Sequence, residues 1–327
     1  MVAGQTSGSF LGASRVVAVT GASGYVGSRL LRELEEENLA KLVAFDTKPP
    51  PLPVHNIAVY RQDVGRPIDE LLRQHRVEAL VHLAFDSRRG NNRRQVRETR
   101  VNNLQTLHAV LDSCVRANVK HIVYLSSHAV YGARSDNAVP IIENAALRSS
   151  PDFPYGYDKF LADQILDAFA QRHPDTKVTV LRTCMVLGPT GENDMARNFF
   201  RPWLWGVEGY NPPLQFLHED DLARILTIVL REQVPGVFNV AGDGVAFYRE
   251  LSQIADRRLI SLPTFVAYPL VRASWVCRLQ HSITASELDL ARYPVVLSTG
   301  KLKQTIGYRF WYTSLEALTA YANSVLL

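Results

Sequence analysis

Cysteine is scarce in this chain, and long hydrophobic runs are missing from it. The three cysteines among 327 residues, Cys114, Cys184 and Cys277, stand too far apart for the usual metal-binding or disulfide spacings. We expect three buried thiols in a reducing compartment, which indicates a cytoplasmic protein. Because no run of about 18 uninterrupted apolar residues occurs, we expect no membrane span.

The chain also has no large excess of positive or negative charge. The formal net charge is +4, which does not favour a general nucleic-acid partner. Residues 1–14 lack the positively charged start of a signal peptide, and we predict a flexible N-terminus there. Hydrophobic side chains make up 46% of the chain, so a large core can form at this length.

The most informative segment is the turn that follows the first apolar run. Val16 to Thr20 predict a buried strand, and the next glycines are spaced G-x-x-G-x-x-G at Gly21, Gly24 and Gly27. Glycine is needed where a Cβ would keep the backbone away from a ligand, or a helix away from a strand. The helix that opens here would present its N-terminus to a diphosphate, so we predict a dinucleotide site.

The predicted dinucleotide is NAD. Asp46 ends the next apolar run, about 20 residues beyond the turn, where an acidic residue binds the ribose hydroxyls. A carboxylate pairs with the 2′-hydroxyl of NAD and repels the 2′-phosphate of NADP. Lys48 is close by in the sequence and keeps NADP open as the less favoured alternative.

Apolar runs alternate with amphipathic patterns through the first part of the chain. The amphipathic patterns predict helices at 25–37, 67–75, 97–117 and 157–172. The apolar runs predict parallel strands at 15–20, 41–46, 57–60, 78–83, 120–126 and 177–182. This alternation predicts an α/β fold with a doubly wound parallel sheet of Rossmann type.

The pattern loosens after Gly188-Pro189, and we place a domain boundary there. We predict an NAD-binding Rossmann-type domain at 15–188 and a smaller, mainly substrate-binding part at 189–327. A helix at 221–230 and a strand at 237–240 are expected to return to the core sheet.

Three residues further along the chain form a catalytic pattern. Ser127 follows the strand at 120–126, and Tyr155 and Lys159 lie four residues apart at the start of a helix, hence on one face. We expect the Lys159 ammonium to favour ionisation of the Tyr155 phenol, which makes this tyrosine a general acid and base for a secondary alcohol. The Ser127 hydroxyl would orient the same substrate oxygen.

In this order, the glycine turn, the serine strand end and the Y-x-x-x-K helix resemble the extended short-chain dehydrogenase/reductase superfamily, specifically its NAD-dependent epimerase/dehydratase family. The resemblance covers about residues 15–320 and implies an NAD-dependent oxidoreductase or epimerase that forms a homodimer. It implies catalytic roles for Ser127, Tyr155 and Lys159. The cofactor contacts that it implies are Gly21, Ser23, Gly24, Tyr25, Val26, Gly27, Asp46, Asp63, Val64, Leu83, Ala84, Phe85, Asn102, Tyr155 and Lys159.

Further motifs carry the same resemblance. Asp63-Val64 matches the pair that contacts adenine, and His82-Leu83-Ala84-Phe85 matches the strand end over which the cofactor lies. Phe85 replaces a residue that is usually small. Asn102 lies where the family has N-V-x-G-T, although Gln105 replaces the glycine of that motif.

The sugar-nucleotide epimerases of the family carry polar diphosphate contacts at two positions that are apolar here. Met185 stands where an asparagine is common, and Leu214 stands where an arginine is common. An unpaired buried diphosphate is costly, so a nucleotide sugar needs another anchor. The residues predicted to contact substrate are His128, Met185, Trp203 and Leu214; for His128, simple packing is an equal alternative.

Three segments leave two interpretations each. The aromatic residues Trp203, Trp205 and Tyr210 belong either to a core or to a pocket wall, and the apolar segment 259–279 either packs against protein or touches a membrane surface. A group of arginines forms either a solvated face or a site for an anionic substrate group; without interleaved aromatics it does not indicate nucleic acid. These arginines are Arg88, Arg89, Arg93, Arg94, Arg97 and Arg100.

Three functions from different classes follow from these features. The first is an epimerase or dehydratase that acts on a nucleoside-diphosphate sugar. The second, favoured by Met185 and Leu214, is a dehydrogenase or ketoreductase of an apolar, lipid- or sterol-like alcohol or ketone. The third is a non-catalytic NAD-binding regulator, since a fold alone does not imply catalysis.

Overall fold

The structure, a computed structural model, describes residues 15–38, 40–51, 57–87, 92–191, 200, 203–277, 286 and 288–326. The predicted flexible N-terminus at 1–14 lies outside the described residues, as do Arg88 and Arg89.

A seven-stranded parallel sheet forms the centre of the molecule. Its strands are β1 Arg15–Thr20, β2 Ala40–Asp46, β3 Ile57–Arg61, β4 Ala79–His82, β5 His121–Ser127, β6 Lys177–Thr183 and β11 Gly236–Val240. They lie in the order β3-β2-β1-β4-β5-β6-β11, and every neighbouring pair is parallel. The order of the strands reverses between β1 and β4, so the predicted doubly wound Rossmann-type sheet is confirmed.

Helices cover both faces of this sheet. One face carries α1 Tyr25–Glu36, α5 Glu219–Glu232 and α8 Gly300–Ile306, and the other carries α2 Asp69–Gln74, α3 Arg93–Ala117 and α4 Pro154–Arg172. The other described helices are α6 Tyr248–Ile254, α7 Thr264–Val276 and α9 Ser314–Leu326. Successive residues of a strand point to opposite faces. Val17 and Val19 therefore share a core with α1 and α5, whereas Ala18 shares a core with α2, α3 and α4. Burial on both faces explains why the strands are continuous apolar runs.

Two helices begin three or more residues earlier than predicted. Helix α3 begins at Arg93 because the Asn92 side chain accepts the backbone N–H of Gln95 at 2.9 Å and caps the first turn. Helix α4 begins at Pro154, where the missing N–H of proline would have no helical partner in any case. The earlier start places Tyr155 within the first turn of α4.

The chain beyond β6 adds short strands beside the main sheet. These are β7 Met185–Leu187, β8 Trp203–Val207, β9 Pro213–Leu214, β10 Phe216–His218, β12 Ala246–Phe247 and β13 Arg258–Leu262. They pair as β7 with β10, β8 with β13, and β9 with β12. Together with α6, α7 and α9 they enclose two small cores. Strand β11 and helix α5 belong instead to the main sheet and its helical layer.

Several side chains differ from what the sequence suggested. Trp203 and Trp205 are 55% and 44% exposed, so neither tryptophan belongs to a core. Cys277 is exposed, which corrects the expectation of three buried thiols; Cys114 and Cys184 are buried.

The described residues contain no helix with the length and apolar character needed to cross a bilayer.

The apolar segment 259–279 is divided between β13 and α7, and its last two residues lie outside the described part. Ala267 is buried in a small core, and Tyr268 packs against it. Phe265 and Leu270 on the same helix are 78% and 51% exposed. Packing within the chain therefore explains the apolar residues on one side of α7, while Phe265 and Leu270 stay exposed.

Asp221 joins α5 to the C-terminal segment. Its fully buried carboxylate accepts the Tyr308 hydroxyl at 2.6 Å and the backbone N–H groups of Trp311 and Tyr312 at 2.9 and 3.1 Å. The Tyr312 ring in turn stacks on His218, with ring centres 3.7 Å apart. One carboxylate therefore satisfies three donors that fasten the end of the chain to the helical layer.

We predict that Asp221→Ala lowers the free energy of unfolding by about 3 kcal/mol, because three donors lose their acceptor in a buried site. Urea unfolding followed by circular dichroism measures the change. Asp112→Ala, at an exposed position of α3, is the matched control and should change stability by less than about 0.5 kcal/mol. Equal unfolding midpoints for the two variants would contradict the role given to Asp221.

Candidate active site

The glycine turn lies against the end of β4. Gly21 has a φ of +70°, and a Cβ on it would lie 2.6 Å from the backbone nitrogen of Ala84. A Cβ on Gly27 would lie 2.2 Å from the Gly21 carbonyl oxygen, whereas one on Gly24 would be 3.2 Å from the same atom. Gly21 thus allows the turn to reach the strand end, and Gly27 allows α1 to start directly above the turn.

Groups with free hydrogen-bonding capacity surround this turn. The backbone N–H groups of Tyr25 and Val26, at the start of α1, have no hydrogen-bond partner among the described residues. Asp46, at the end of β2, accepts the N–H groups of Ser23 and Lys48 at 2.9 and 3.0 Å, one on each carboxylate oxygen. The Thr47 hydroxyl also approaches Oδ1, at 3.5 Å, whereas Oδ2 keeps a lone pair for a ligand hydroxyl.

The other residues predicted to contact the cofactor follow the neighbouring strands. Asp63 is exposed just beyond β3, beside the buried Val64. Leu83, Ala84 and Phe85 are half-buried just beyond β4. Because the carboxyl ends of parallel strands meet at one edge of a sheet, these segments lie on the same edge as the glycine turn.

The predicted catalytic serine and tyrosine meet where β5 ends and α4 begins. The Ser127 hydroxyl oxygen accepts the N–H of Ala129 at 3.2 Å, so its proton is available to another acceptor. The Ser127 hydroxyl faces the Tyr155 phenol and acts to lower the pKa of that phenol. Gly156 permits this approach, since a Cβ there would lie 2.6 Å from the Ser149 hydroxyl and 2.9 Å from the Ala129 carbonyl oxygen.

Lys159 is buried one turn further along α4. Its ammonium donates to the Leu125 carbonyl at 2.8 Å and to the Tyr124 hydroxyl at 3.3 Å. It also lies 3.9 Å from the centre of the Phe85 ring, a cation–π contact. The same ring meets the Tyr155 ring edge-on, with centres 5.8 Å apart. Phe85, where the family usually has a small residue, therefore contacts both the lysine and the tyrosine.

Burial changes the pKa values of Lys159 and Tyr155. It lowers the pKa of Lys159 to about 7, and the nearby carboxylates of Asp163 and Asp158 oppose that change. Burial also raises the pKa of Tyr155, which the nearby Ser127 hydroxyl partly offsets. The ammonium binds a strand carbonyl and the Tyr124 hydroxyl, and its expected effect on the Tyr155 phenol stays a prediction.

The four residues predicted to contact substrate lie in different surroundings. His128 follows the catalytic serine, and its Nδ1 lies 3.1 Å from the Thr183 carbonyl oxygen. Met185 and Leu214 pack against one of the small cores. Trp203 borders a surface cavity of about 430 Å³, whose other described lining residues are Phe200, Asp256, Arg257 and Arg258. Of the four, His128 is the residue next to the predicted catalytic group.

The described arginines of α3 have different partners. Arg100 forms an ion pair with Asp158 of α4 at 2.5 Å, so its charge has a partner within the protein. Arg94 forms an exposed pair with Glu98. A cavity of about 460 Å³ on this side of α3 is lined by Arg94, Arg97, Glu98, Val101 and Asn102. The predicted cofactor residue Asn102 is exposed there, among charged side chains.

Sequence reasoning missed three residues that hold the site together. Asn103, next to Asn102, exchanges two hydrogen bonds with the backbone of Asp86 at 2.9 and 3.0 Å and so fixes the segment after β4. The Tyr124 hydroxyl accepts a hydrogen bond from the Lys159 ammonium. Asp163 lies four residues after Lys159, a helical spacing that offered a usable signal.

The residues at this edge fit a dinucleotide. The turn has positions that a Cβ would fill, two N–H groups aimed out of a helix start, and a carboxylate oxygen with a free lone pair. A buried ammonium and a tyrosine lie further along the same edge. This is the combination expected for a diphosphate, a ribose and a redox-active ring in sequence along the sheet.

Comparison with known sequences gives the family. The model of the NAD dependent epimerase/dehydratase family matches residues 17–241. An uncharacterised protein of Mycobacterium tuberculosis is 26% identical over 318 residues, which are 94% of this chain and 83% of that protein. The UDP-glucose 4-epimerase of Azospirillum brasilense is 28% identical over 219 residues, or 64% of this chain and 61% of the epimerase.

Comparison with solved structures agrees on the fold. MoeE5, solved in complex with UDP-glucuronic acid and NAD, has a TM-score of 0.74 at 21% identity, covering 95% of this chain and 98% of that one. UDP-glucose 4-epimerase of Thermus thermophilus, solved with NAD, has a TM-score of 0.70 at 18% identity, covering 94% and 98%. The chain belongs to the NAD-dependent epimerase/dehydratase family, a family of enzymes of the extended short-chain dehydrogenase/reductase type.

Proposed function

We propose that this protein catalyses NAD-dependent hydride transfer at a secondary carbinol carbon of a nucleoside-diphosphate sugar. The observation that carries the proposal is the meeting of Ser127, Tyr155 and Lys159 at the sheet edge that also holds the glycine turn. When bound, NAD supplies a nicotinamide ring that accepts the hydride. The sugar part of the proposal is supported by the two UDP-glucose 4-epimerases named above and by MoeE5, which was solved with UDP-glucuronic acid.

The proposed roles follow from what each side chain can donate or accept. Tyr155 takes the hydroxyl proton as the carbinol becomes a carbonyl, and returns it when the hydride comes back. Ser127 donates its free proton to the same substrate oxygen and holds it in place. Lys159, buried one helical turn from Tyr155, would add positive potential at the phenol and provide donors for ribose hydroxyls.

The cofactor would lie along the edge from Asp46 to Lys159. Tyr25 and Val26 would donate their N–H groups to the diphosphate, and Asp46 would accept from the adenosine ribose. Phe85 lies beside the lysine, so we propose that its ring packs against the nicotinamide end of the dinucleotide.

A second candidate function has its own observation in support. Met185 and Leu214 pack in an apolar core, so neither offers a polar contact to a diphosphate. A dehydrogenase or ketoreductase of an uncharged alcohol or ketone needs no such contact. This candidate would change NAD and NADH levels in net amounts, whereas an epimerase would not.

Thermal unfolding with ligands separates the two candidates. A ligand present at 100 times its dissociation constant stabilises a protein by about 2.7 kcal/mol. Saturating NAD alone should raise the melting temperature, and UDP-, GDP- or dTDP-glucose added to the NAD-loaded protein should raise it further. A shift with NAD and none with any nucleotide sugar would contradict the sugar part and favour the second candidate.

Tyr155→Phe should lower turnover about 100-fold or more, because the variant has no group to move the proton. NAD affinity should be unchanged. Product formation is measured by NMR of the sugar and by NADH absorbance, and NAD binding by thermal shift. Tyr157→Phe is the matched control, since that ring contacts Arg100 instead. Full turnover in Tyr155→Phe, or loss of NAD binding, would sink the assignment.

Asp46→Asn should weaken NAD binding about tenfold, because a charged acceptor for the ribose hydroxyls becomes neutral. The preference for NAD over NADP should fall by more than that, since repulsion of the 2′-phosphate is also removed. Both dissociation constants are measured by titration calorimetry. Lys41→Ala, at an exposed position near the start of the same strand, serves as control. An unchanged NAD-to-NADP ratio in Asp46→Asn would show that this carboxylate does not face the ribose.

A further inference from the structure

His128 stands at the substrate side of the predicted catalytic pair. It opens the short 3-10 turn His128–Tyr131, which Ser127 caps by accepting the Ala129 N–H. Its Nδ1 lies 3.1 Å from the carbonyl oxygen of Thr183, which is paired with Ser127 across β5 and β6. The half-buried ring is therefore held over the carboxyl ends of these two strands.

The hydrogen bond to Thr183 fixes the tautomer of the ring. A carbonyl oxygen only accepts, so the proton must be on Nδ1. Burial lowers the pKa of His128 to about 4, and the bond to the carbonyl opposes this only in part. The ring is therefore neutral near pH 7, and its Nε2 is an acceptor. Nε2 has no protein partner in the described ranges and is not among their fully buried atoms.

We propose that Nε2 of His128 accepts a hydrogen bond from a second hydroxyl group of the substrate, next to the carbinol that Ser127 and Tyr155 hold. The inference rests on the proposed hydride transfer. Ser127 has a proton to donate to the carbinol oxygen whose own proton passes to Tyr155, whereas Nε2 of His128 beside them can only accept. A vicinal diol fits this arrangement, because one oxygen is held at the catalytic residues and the neighbouring hydroxyl donates to Nε2.

This arrangement selects between substrate classes. An isolated ketone or alcohol offers nothing to Nε2, and an acceptor that loses water without gaining a donor is penalised. A sugar ring or another polyol fills both sites at once. The substrate class is therefore a polyol with adjacent hydroxyls, whatever group it carries elsewhere.

Nitrogen NMR of the histidine-labelled protein tests the tautomer without any substrate. The His128→Gln variant identifies the signals of this ring. We expect a protonated Nδ1, an unprotonated Nε2 and no titration between pH 8 and about 5, since the pKa of His128 lies near 4. A proton on Nε2, or titration near the ordinary histidine pKa of about 6.5, would overturn the proposal.

The substrate preference is tested with small alcohols that carry no nucleotide. NAD reduction is followed with cis- and trans-1,2-cyclohexanediol and with cyclohexanol, and the ratio of kcat/KM for diol over mono-alcohol is the readout. We expect the wild type to prefer a diol, and His128→Phe to reduce that preference about 3- to 10-fold, as for the loss of one hydrogen bond. His128→Gln keeps a side-chain carbonyl acceptor and should retain part of the preference.

The outcomes separate this inference from the proposed function. A wild type that oxidises diol and mono-alcohol equally well, or a ratio unchanged in His128→Phe, overturns the role of His128 while hydride transfer stands. If none of these alcohols reduces NAD, the proposed hydride transfer stands, because an epimerase produces no net NADH, and the NMR result then decides on His128. Melting temperatures of both variants exclude misfolding as the cause of a lower ratio.

Discussion

The candidate site depends on keeping an ammonium group inside the protein. Lys159 is 6% exposed, and a buried charge without partners would be strongly unfavourable. The charge is met by a strand carbonyl, a tyrosine hydroxyl and the face of Phe85. Because two of these partners lie within β5 and the third follows β4, this one side chain constrains the positions of β4, β5 and α4 relative to one another.

The carboxylates nearest to this lysine are themselves paired, which extends the constraint. Asp158 binds Arg100 of α3, and Asp163 binds Arg182 of β6 at 2.7 Å. Arg182 also donates to the Tyr131 hydroxyl at 2.9 Å, and that hydroxyl donates to Asn239 of β11 at 2.8 Å. Removing a member of such a network leaves a buried charge or hydrogen-bond donor without a partner. The polar groups behind the site therefore link it to the far strand of the sheet.

The sequence predicted those features that short-range rules govern. Alternating runs indicated the doubly wound sheet, and the spacing of Gly21, Gly24 and Gly27 located the turn that lies against β4. Features that need partners from distant strands were not predictable. The hydrogen bond from Lys159 to Tyr124 joins residues 35 positions apart, and no local pattern indicates that this tyrosine, rather than Tyr155, receives the ammonium.

The solvent exposure of individual side chains could not be predicted from sequence patterns either. Trp203 and Trp205 look like core residues by type, but on the two-stranded sheet of β8 and β13 they stay 55% and 44% exposed. Met185 and Leu214 could be recognised from the sequence as departures from the family pattern, but their surroundings could not be predicted. In the structure their partly buried side chains pack against a small core. Because an apolar side chain offers no hydrogen bond to a diphosphate, a nucleotide sugar bound here needs other donors for that group.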